Sequence, residues 1–190
     1  MSQTQTIPEK QDAILQAAVA TFAAYGFRRT SMEDIARAAG ISRTALYLYW
    51  RNKEDIFRSL TQKFFDQAVV DVRAALAVPG LSAEQALLAG FHAKDGEIFQ
   101  ILMTTPHGAE LLEVSYSQCP DIVRAGEARL AAAFADWLRG RDLPEGIGSA
   151  EEVADSILSA LFGLKKTVPS PEAYRPALQR LARMFARAIS

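Results

Sequence analysis

The chain has 190 residues, of which 49% are hydrophobic, so it can bury the core of one large domain or of a small and a medium domain. Its net charge of −1 excludes a protein that is a polycation along its whole length, and its single cysteine, Cys119, excludes an intramolecular disulfide. The polar first eleven residues and the lack of an apolar run of about 18 residues predict a soluble, cytoplasmic protein.

The first element in chain order is an amphipathic helix that ends at Gly26, a typical residue after a helix C-terminus. Its predicted buried face follows helical spacing and consists of Ile14, Ala17, Ala18, Thr21, Phe22 and Tyr25. A capping box at Thr30 and Glu33 predicts the start of a short second helix. Gly40 ends that helix, and Ser42 can cap a third.

Similar start and stop signals divide the rest of the chain into helices, and no segment shows the alternation typical of a strand. Asn52, the pair Ser82 and Gln85, and the pair Ser149 and Glu152 are predicted caps, whereas Pro106 must end or kink a helix. The sequence therefore predicts an all-α fold of about nine helices. The later helices are expected at about 53–76, 82–104, 107–117, 120–139, 150–166 and 172–189.

Residues 31–50 have the spacing of a helix-turn-helix. Ala36 supplies a small residue where two short helices cross, and Gly40 supplies a tight turn. Leu46 can fill the wedge between the helices, together with Ile35 and Ile41. The second helix of such a motif enters the major groove of DNA. Residues 1–63 hold nine basic against six acidic side chains and residues 64–190 twelve against sixteen, which suits a DNA-facing head on an acidic body.

Several side chains near this motif are candidate DNA contacts. Arg43 and Thr44 lie in the first turn of the second helix, where an Arg can bind guanine and a Thr methyl can contact thymine. Hydroxyl and ammonium groups nearby suit phosphates or base edges. They belong to Thr30, Ser31, Tyr47, Tyr49 and Lys53. In the alternative interpretation Thr30 and Ser31 only cap a helix, and Tyr47 belongs to the core.

Residues 13–58 resemble the head of the TetR (tetracycline-repressor-like) family of bacterial regulators. The resemblance rests on Phe22, Gly26, Thr30-Ser31, Ile35-Ala36, Ala39-Gly40-Ile41-Ser42, Leu46-Tyr47, Tyr49-Trp50 and Lys53-Glu54. It implies a three-helix DNA-binding head, a helical effector-binding and dimerisation body, a homodimer on a palindromic operator, and release of the operator by a small ligand. The family often has Gly at the position of Thr44, Thr at that of Ala45, and another aromatic pair at 49–50, so base preference does not follow from it.

We therefore expect a head at 8–68, with the helix-turn-helix at 31–50, and a body at 69–190. The expected function is that of a sequence-specific transcriptional regulator, a repressor that a small ligand releases from a palindromic operator. The alternatives are an activator, or a helical DNA-binding or interaction module with no small-molecule effector. The resemblance places the dimer interface on the last two helices, unless these faces only pack internally. The expected interface residues are Ile157, Ala160, Leu161, Leu164, Leu178, Leu181 and Phe185.

The effector is expected to be an apolar or aromatic small molecule, because the candidate lining of the body is mostly aromatic. Those candidates are Phe65, Phe91, His92, Phe99, Met103, His107, Tyr116, Phe134 and Trp137, each of which can also be plain core. The stretch 91–96 interrupts an apolar helix with polar residues, which indicates either solvent exposure or a polar pocket wall.

An enzyme is not expected. Two His and one Cys form no metal-spaced cluster, and the sequence has neither a phosphate-binding loop nor a nucleophile elbow. Accordingly no catalytic residue, metal or cofactor is predicted. A redox role of Cys119 is left as an alternative, although a Cys-Pro pair at a helix start is also a common structural feature.

Overall fold

A computed structural model describes residues 7–168 and 170–190, with the side chains of 97–100, 102 and 171 outside the description. These residues form nine helices and no strand, which confirms the predicted fold class. The helices are α1 (Ile7–Tyr25), α2 (Met32–Ala38), α3 (Arg43–Tyr47), α4 (Lys53–Leu76), α5 (Ala83–Thr104), α6 (Gly108–Gln118), α7 (Pro120–Arg139), α8 (Ala150–Thr167) and α9 (Pro171–Ala188). Among the described helices, none combines the length and the hydropathy that a membrane span requires.

Most helix starts lie at the predicted capping residues. Ser42 accepts the backbone N–H of Ala45 at 3.1 Å, and Asn52 accepts that of Asp55 at 2.7 Å. The capping boxes of α5 and α8 form as predicted. The predicted box at Thr30 and Glu33 is wrong by one residue, because Ser31 is the N-cap of α2 and pairs with Asp34.

The buried face of α1 departs from prediction at its end. Ile14, Ala18, Thr21 and Phe22 are buried as expected, but Tyr25 is 63% exposed. Ala23 is buried in its place. Tyr25 is the last residue of α1, and Ala17 is half-buried.

One compact unit contains residues 7–63 together with 101–123. Its core includes the rings of Phe22, Phe27 and Phe57, whose centroids lie 5.1 to 5.8 Å apart. Leu111 and Cys119 belong to the same core. Burial raises the pKa of the Cys119 thiol, which disfavours the reactive thiolate and gives no support to a redox role. The chain around α6, predicted as part of the body, thus packs with head residues, while the functional boundary at residue 68 stays a prediction.

A second compact unit contains residues 64–100 and 124–190, of which 169 is not described. α4 is continuous through the boundary at 63–64. The rings of Phe91 and Phe134 lie 6.0 Å apart, and both side chains are fully buried. The buried side chains of this unit also include aliphatic ones, among them Leu87, Leu130, Leu138, Ile157, Leu161 and Leu178.

The α4 and α7 helices approach each other closely at Gly126. A Cβ added at Gly126 would lie 2.1 Å from the ring of the buried Phe65. We therefore expect Gly126→Ala to destabilise the fold by about 1–3 kcal/mol, although alanine favours a helix over glycine. Urea denaturation measures the change.

Combined with Gly126→Ala, the substitution Phe65→Leu removes the ring atoms that the added methyl group would meet. The double variant should lose less stability than the sum of the two single variants, as expected for residues in contact. Additive losses would contradict this account of the packing.

Candidate nucleic-acid interface

The turn between α1 and α2 depends on Gly26 and Thr30. Gly26 has a φ of 85°, a region that favours glycine. Its carbonyl accepts the Thr30 hydroxyl at 2.8 Å and the Thr30 backbone N–H at 3.2 Å. Thr30 is only 2% exposed. The predicted phosphate contact of its side chain is therefore corrected to a structural role, because the hydroxyl is buried and already donates to a carbonyl.

Lys53, the first residue of α4, binds the same turn. Its ammonium donates to the carbonyls of Phe27 at 2.7 Å, Arg28 at 3.0 Å and Thr30 at 2.9 Å. It also lies 4.8 Å from the centroid of the Phe27 ring. An ammonium has three donors, so these three carbonyls account for all of them. The contact predicted for Lys53 was with a phosphate; the described geometry gives it a structural task, and a DNA contact stays a prediction.

Ser31 remains at the surface, at the start of α2. Its hydroxyl donates to Asp34 Oδ2 at 2.6 Å and accepts the Asp34 N–H at 3.2 Å. The hydrogen bonds from Ser31 hold the pKa of Asp34 below its usual value. Because Ser31 is exposed, its predicted phosphate contact is sterically open and stays a prediction.

The helix-turn-helix has the predicted geometry. Ile35 and Leu46 are fully buried, and Ala36 is 3% exposed. Gly40 has a φ of 67°, and the N–H of Ile41 reaches back to the Ala36 carbonyl at 3.0 Å. The apolar face of α3 is therefore fixed against α2, and its opposite face is directed to solvent.

That opposite face carries three of the predicted DNA contacts. Arg43, Thr44 and Tyr47 are all exposed, so the alternative that Tyr47 belongs to the core is wrong. The Arg43 guanidinium donates to the Tyr47 hydroxyl at 3.3 Å and lies 3.8 Å from Glu33. These contacts are exposed and exchange readily with water, so Arg43 can leave them for a base edge.

The two aromatic residues that follow α3, Tyr49 and Trp50, differ in burial. Trp50 is buried, and its indole N–H donates to the Ser59 hydroxyl at 2.9 Å. Tyr49 is half-buried and packs on the Trp50 ring at 5.7 Å between centroids. Leu48, which the sequence did not single out, is 81% exposed beside this face. Its position in the sequence, directly after the buried Leu46 and the exposed Tyr47, is the signal that could have singled it out.

The start of α6 lies against the turn at Gly26. The His107 backbone N–H donates to the Ala23 carbonyl at 3.3 Å, and its ring nitrogen Nδ1 lies 3.0 Å from Glu110 Oε2. A Cβ at Gly26 would come within 2.7 Å of that same carboxylate oxygen. A cleft of about 590 Å³ opens beside this contact, lined by Thr21, Ala24, Tyr25, Arg29, Asp34, Arg37, Ala38 and His107.

The predicted effector residues divide between the two compact units. Met103, His107 and Tyr116 belong to the unit that contains the head, whereas the other described candidates belong to the second unit. Phe65, Phe91 and Phe134 are buried core, His92 is exposed, and Trp137 stacks under Arg141 at 3.9 Å. The side chain of Phe99 lies outside the described residues. Their role in binding an effector stays a prediction.

The predicted dimer residues also separate by burial. Ile157, Leu161 and Leu178 are almost fully buried within a single chain, so they pack internally. The remaining four residues are half-buried. They are Ala160, Leu164, Leu181 and Phe185.

The two short helices packed on each other, the buried residues between them and the polar outer face define a helix-turn-helix head of the DNA-binding type. Residues 14–60 match the family described as bacterial regulatory proteins, tetR family. The match covers about a quarter of the chain, from within α1 to the first turns of α4.

Two curated relatives are regulators from Escherichia coli (strain K12). The HTH-type transcriptional regulator RutR is 34% identical over 71 residues, which cover 37% of this chain and 34% of RutR. The HTH-type transcriptional repressor ComR is 30% identical over 111 residues, which cover 58% of this chain and 52% of ComR. The chain therefore spans about a third of RutR and about half of ComR in these matches.

Solved structures share the fold over nearly the whole chain. The fatty acid degradation regulator FadR from Bacillus halodurans has a TM-score of 0.68 at 16% identity, covering 97% of both chains. SmeT in its complex with triclosan has a TM-score of 0.67 at 18% identity, covering 94% of this chain and 90% of that one.

The three carbonyl contacts of Lys53 predict that this residue is needed for stability. Lys53→Met should lower the free energy of unfolding by about 1–3 kcal/mol, because three carbonyls at the turn lose their donor. The matched control is Arg51→Met, since the Arg51 side chain is 92% exposed and makes only an exposed ion pair with Asp55. Thermal unfolding of both variants measures the difference, and equal stability would contradict the structural role.

Proposed function

We propose that the protein is a sequence-specific DNA-binding transcriptional regulator, a repressor that leaves its operator when a small ligand binds. The observation that carries this proposal is the exposed Arg43, Thr44 and Tyr47 face on a helix that Ile35 and Leu46 fix from behind. Major-groove recognition needs such a rigid helix with free polar side chains in its first turns. The regulators named among its relatives agree with this function.

The DNA contacts fall into two classes. Arg43 and Thr44 are assigned to base edges, Tyr47 and Tyr49 to bases or phosphates, and Ser31 to a phosphate. Lys53 and Thr30 are assigned to hold the turn from which these side chains project, on the contacts described above. A bacterial regulator that binds chromosomal DNA acts in the cytoplasm, which is where we place the protein.

We place the effector site in the body, and we propose that a conformational change on ligand binding reaches the head through α6. The His107 and Glu110 contact with the Gly26 turn supports this route, because any displacement of α6 would have to disturb the turn that orients α2. A ligand shifts such an equilibrium only if it binds one arrangement better than the other. SmeT, a structural neighbour, is solved with triclosan bound, which supports effector binding by this fold.

Selection of binding sites from random duplexes by the purified full chain tests the central claim. We expect enrichment of a palindrome whose half-sites lie about one helical turn apart. No enriched sequence would refute sequence-specific binding. A reporter placed behind the selected site separates a repressor from an activator, since both would bind through the same head.

Arg43→Ala should weaken binding to the selected operator by roughly 10- to 100-fold and relax the preference at one base pair of each half-site. Arg37→Ala is the matched control, because its guanidinium is 73% exposed but pairs with Asp34 on α2 and lies off the α3 face. Fluorescence anisotropy at fixed salt measures both affinities. An Arg43→Ala protein with the affinity and base preference of the wild type would remove Arg43 from base recognition.

We further propose that the protein forms a homodimer through the outer faces of α8 and α9. Ala160, Leu164, Leu181 and Phe185 are half-buried there, and Met184 is 68% exposed. Half-buried apolar side chains on adjacent helices are the surface that a second copy would cover.

Met184→Glu should therefore lower the association of two copies by at least about tenfold, because it places an unpaired charge in the interface. Val78→Glu is the control, since Val78 is an exposed apolar residue at 48% exposure that lies off both helices. Sedimentation equilibrium measures association. Equal dimer strength in the two variants would move the interface elsewhere.

A further inference from the structure

An acidic side chain, Glu33, lies beside the residues proposed to recognise bases. Glu33 is in the first turn of α2, and its side chain is 62% exposed. Its Oε2 atom lies 3.8 Å from the Nη1 atom of Arg43, the first residue of α3. A carboxylate on a surface that meets DNA is unfavourable by itself, because the phosphates of DNA repel it. A contact with a base would offset this cost.

Capping of α2 does not account for Glu33. Acidic residues in the first turn of a helix often cap it or interact with its dipole. In α2 the capping box is formed by Ser31 and Asp34, and Asp34 also pairs with Arg37 at 3.2 Å. The partner of Glu33 among the described residues is Arg43. A carboxylate can accept several hydrogen bonds, so Glu33 can accept a further donor.

The Arg43 guanidinium has one neighbour on each of its terminal nitrogens. Its Nη2 donates to the Tyr47 hydroxyl at 3.3 Å, and its Nη1 faces Glu33. Its Cζ atom lies 5.5 Å from the centroid of the Tyr47 ring. A guanidinium has five N–H donors, of which a guanine edge takes two. Arg43 can therefore bind a base while it stays close to Glu33, and the carboxylate then lies beside that base.

The major-groove edge of a single G·C base pair is complementary to these two side chains. Guanine presents two acceptors, N7 and O6, which an arginine binds bidentately. Cytosine presents one donor, its N4 amino group, which a glutamate accepts. The guanine O6 and the cytosine N4 are adjacent, because they are hydrogen-bonded to each other within the pair. Side chains as close together as Arg43 and Glu33 can therefore contact both bases of one pair.

We propose that Glu33 determines specificity at the base pair that Arg43 recognises: Arg43 binds the guanine, and Glu33 accepts the N4 amino group of the paired cytosine. This inference rests on the proposed DNA-binding function and extends base recognition from α3 to α2. An A·T pair or an inverted C·G pair in this place presents a donor to Arg43 and an acceptor to Glu33, so both contacts become repulsive. A T·A pair presents Arg43 with one acceptor in place of two.

The charge of Glu33 also acts on DNA of every other sequence. On the operator, the hydrogen bond from cytosine compensates for the repulsion between the carboxylate and the phosphates. On DNA without a matching G·C pair, only the repulsion remains. Glu33 therefore lowers the affinity for non-operator DNA more than the affinity for the operator, and part of the specificity of the protein comes from this difference.

The test combines site selection from random duplexes with fluorescence anisotropy at fixed salt, both on the full chain. We expect the wild type to enrich one G·C pair in each half-site whose preference is relaxed by Arg43→Ala and also by Glu33→Ala. Glu33→Ala should raise the affinity for a random duplex by roughly threefold to tenfold and change the affinity for the operator by less than about twofold. The ratio of the two affinities should fall accordingly.

Glu33→Gln separates the hydrogen bond from the charge. The amide oxygen of glutamine can still accept the cytosine N4 amino group, but the negative charge is lost. Glu33→Gln should therefore bind the random duplex as tightly as Glu33→Ala does, and keep more of the preference for the G·C pair. A Glu33→Gln protein with the random-duplex affinity of the wild type would overturn the role assigned to the charge.

Glu113→Ala is the matched control, because it removes the same charge from an exposed residue of α6, outside the helix-turn-helix. It should leave the preference at the G·C pair unchanged. Because Glu33 and Arg43 act on one base pair, the double variant should lose less discrimination at that pair than the sum of the single variants. Additive losses, relaxation of different base pairs by the two variants, or an equal effect of Glu113→Ala would overturn the proposal.

The wild-type selection separates this inference from the function on which it rests. An enriched operator whose base preferences and affinity ratio are the same with Glu33→Ala would overturn the inference alone. Failure of the wild-type protein to enrich any sequence would overturn the proposed regulator, and with it the role of Glu33.

Discussion

The head depends on one ammonium group and the three carbonyls that it binds. Lys53 joins the first residue of α4 to the turn between α1 and α2, at Phe27, Arg28 and Thr30. Carbonyls in a turn have no helical partner, and a single cation satisfies three of them at once. Because α4 continues to Leu76, the turn that leads into α2 is tied to the longest of the described helices. This tie adds to the packing of α2 on α1 and of α3 on α2.

The side chains that stabilise the head are different from those proposed to recognise DNA. Thr30 and Lys53 use their polar atoms inside the protein, whereas Arg43, Thr44 and Tyr47 keep theirs at the surface. A recognition helix must be rigid relative to its scaffold if its side chains are to distinguish bases. The residues that make it rigid are then unavailable for the nucleic acid, even where their chemistry would suit a phosphate.

The parts that were predictable from sequence are those governed by local rules. Ser42, Asn52 and Ser149 cap helices through contacts three residues away, and spacing alone reveals such contacts. The carbonyl partners of Lys53 lie 23 to 26 residues away, so no local pattern indicates them. Periodicity also cannot distinguish an apolar residue that packs within its own chain from one that packs against a second copy. Ile157 and Leu161 share the apolar side of α8, and their burial within one chain assigns both to internal packing.

A buried group of polar and charged side chains in the second unit poses a different physical problem. Asp95 is 4% exposed, and it accepts the Tyr174 hydroxyl at 2.8 Å and lies 2.6 Å from the Lys165 ammonium. Replacing a buried ion pair by apolar side chains is often neutral or stabilising, so the pair of Asp95 and Lys165 is weak evidence for stability as such. What the pair does supply is geometry, because one buried carboxylate joins a residue of α5 to residues of α8 and α9. Removing one partner would leave the other buried without its counter-charge, so the packing of these three helices depends on keeping both.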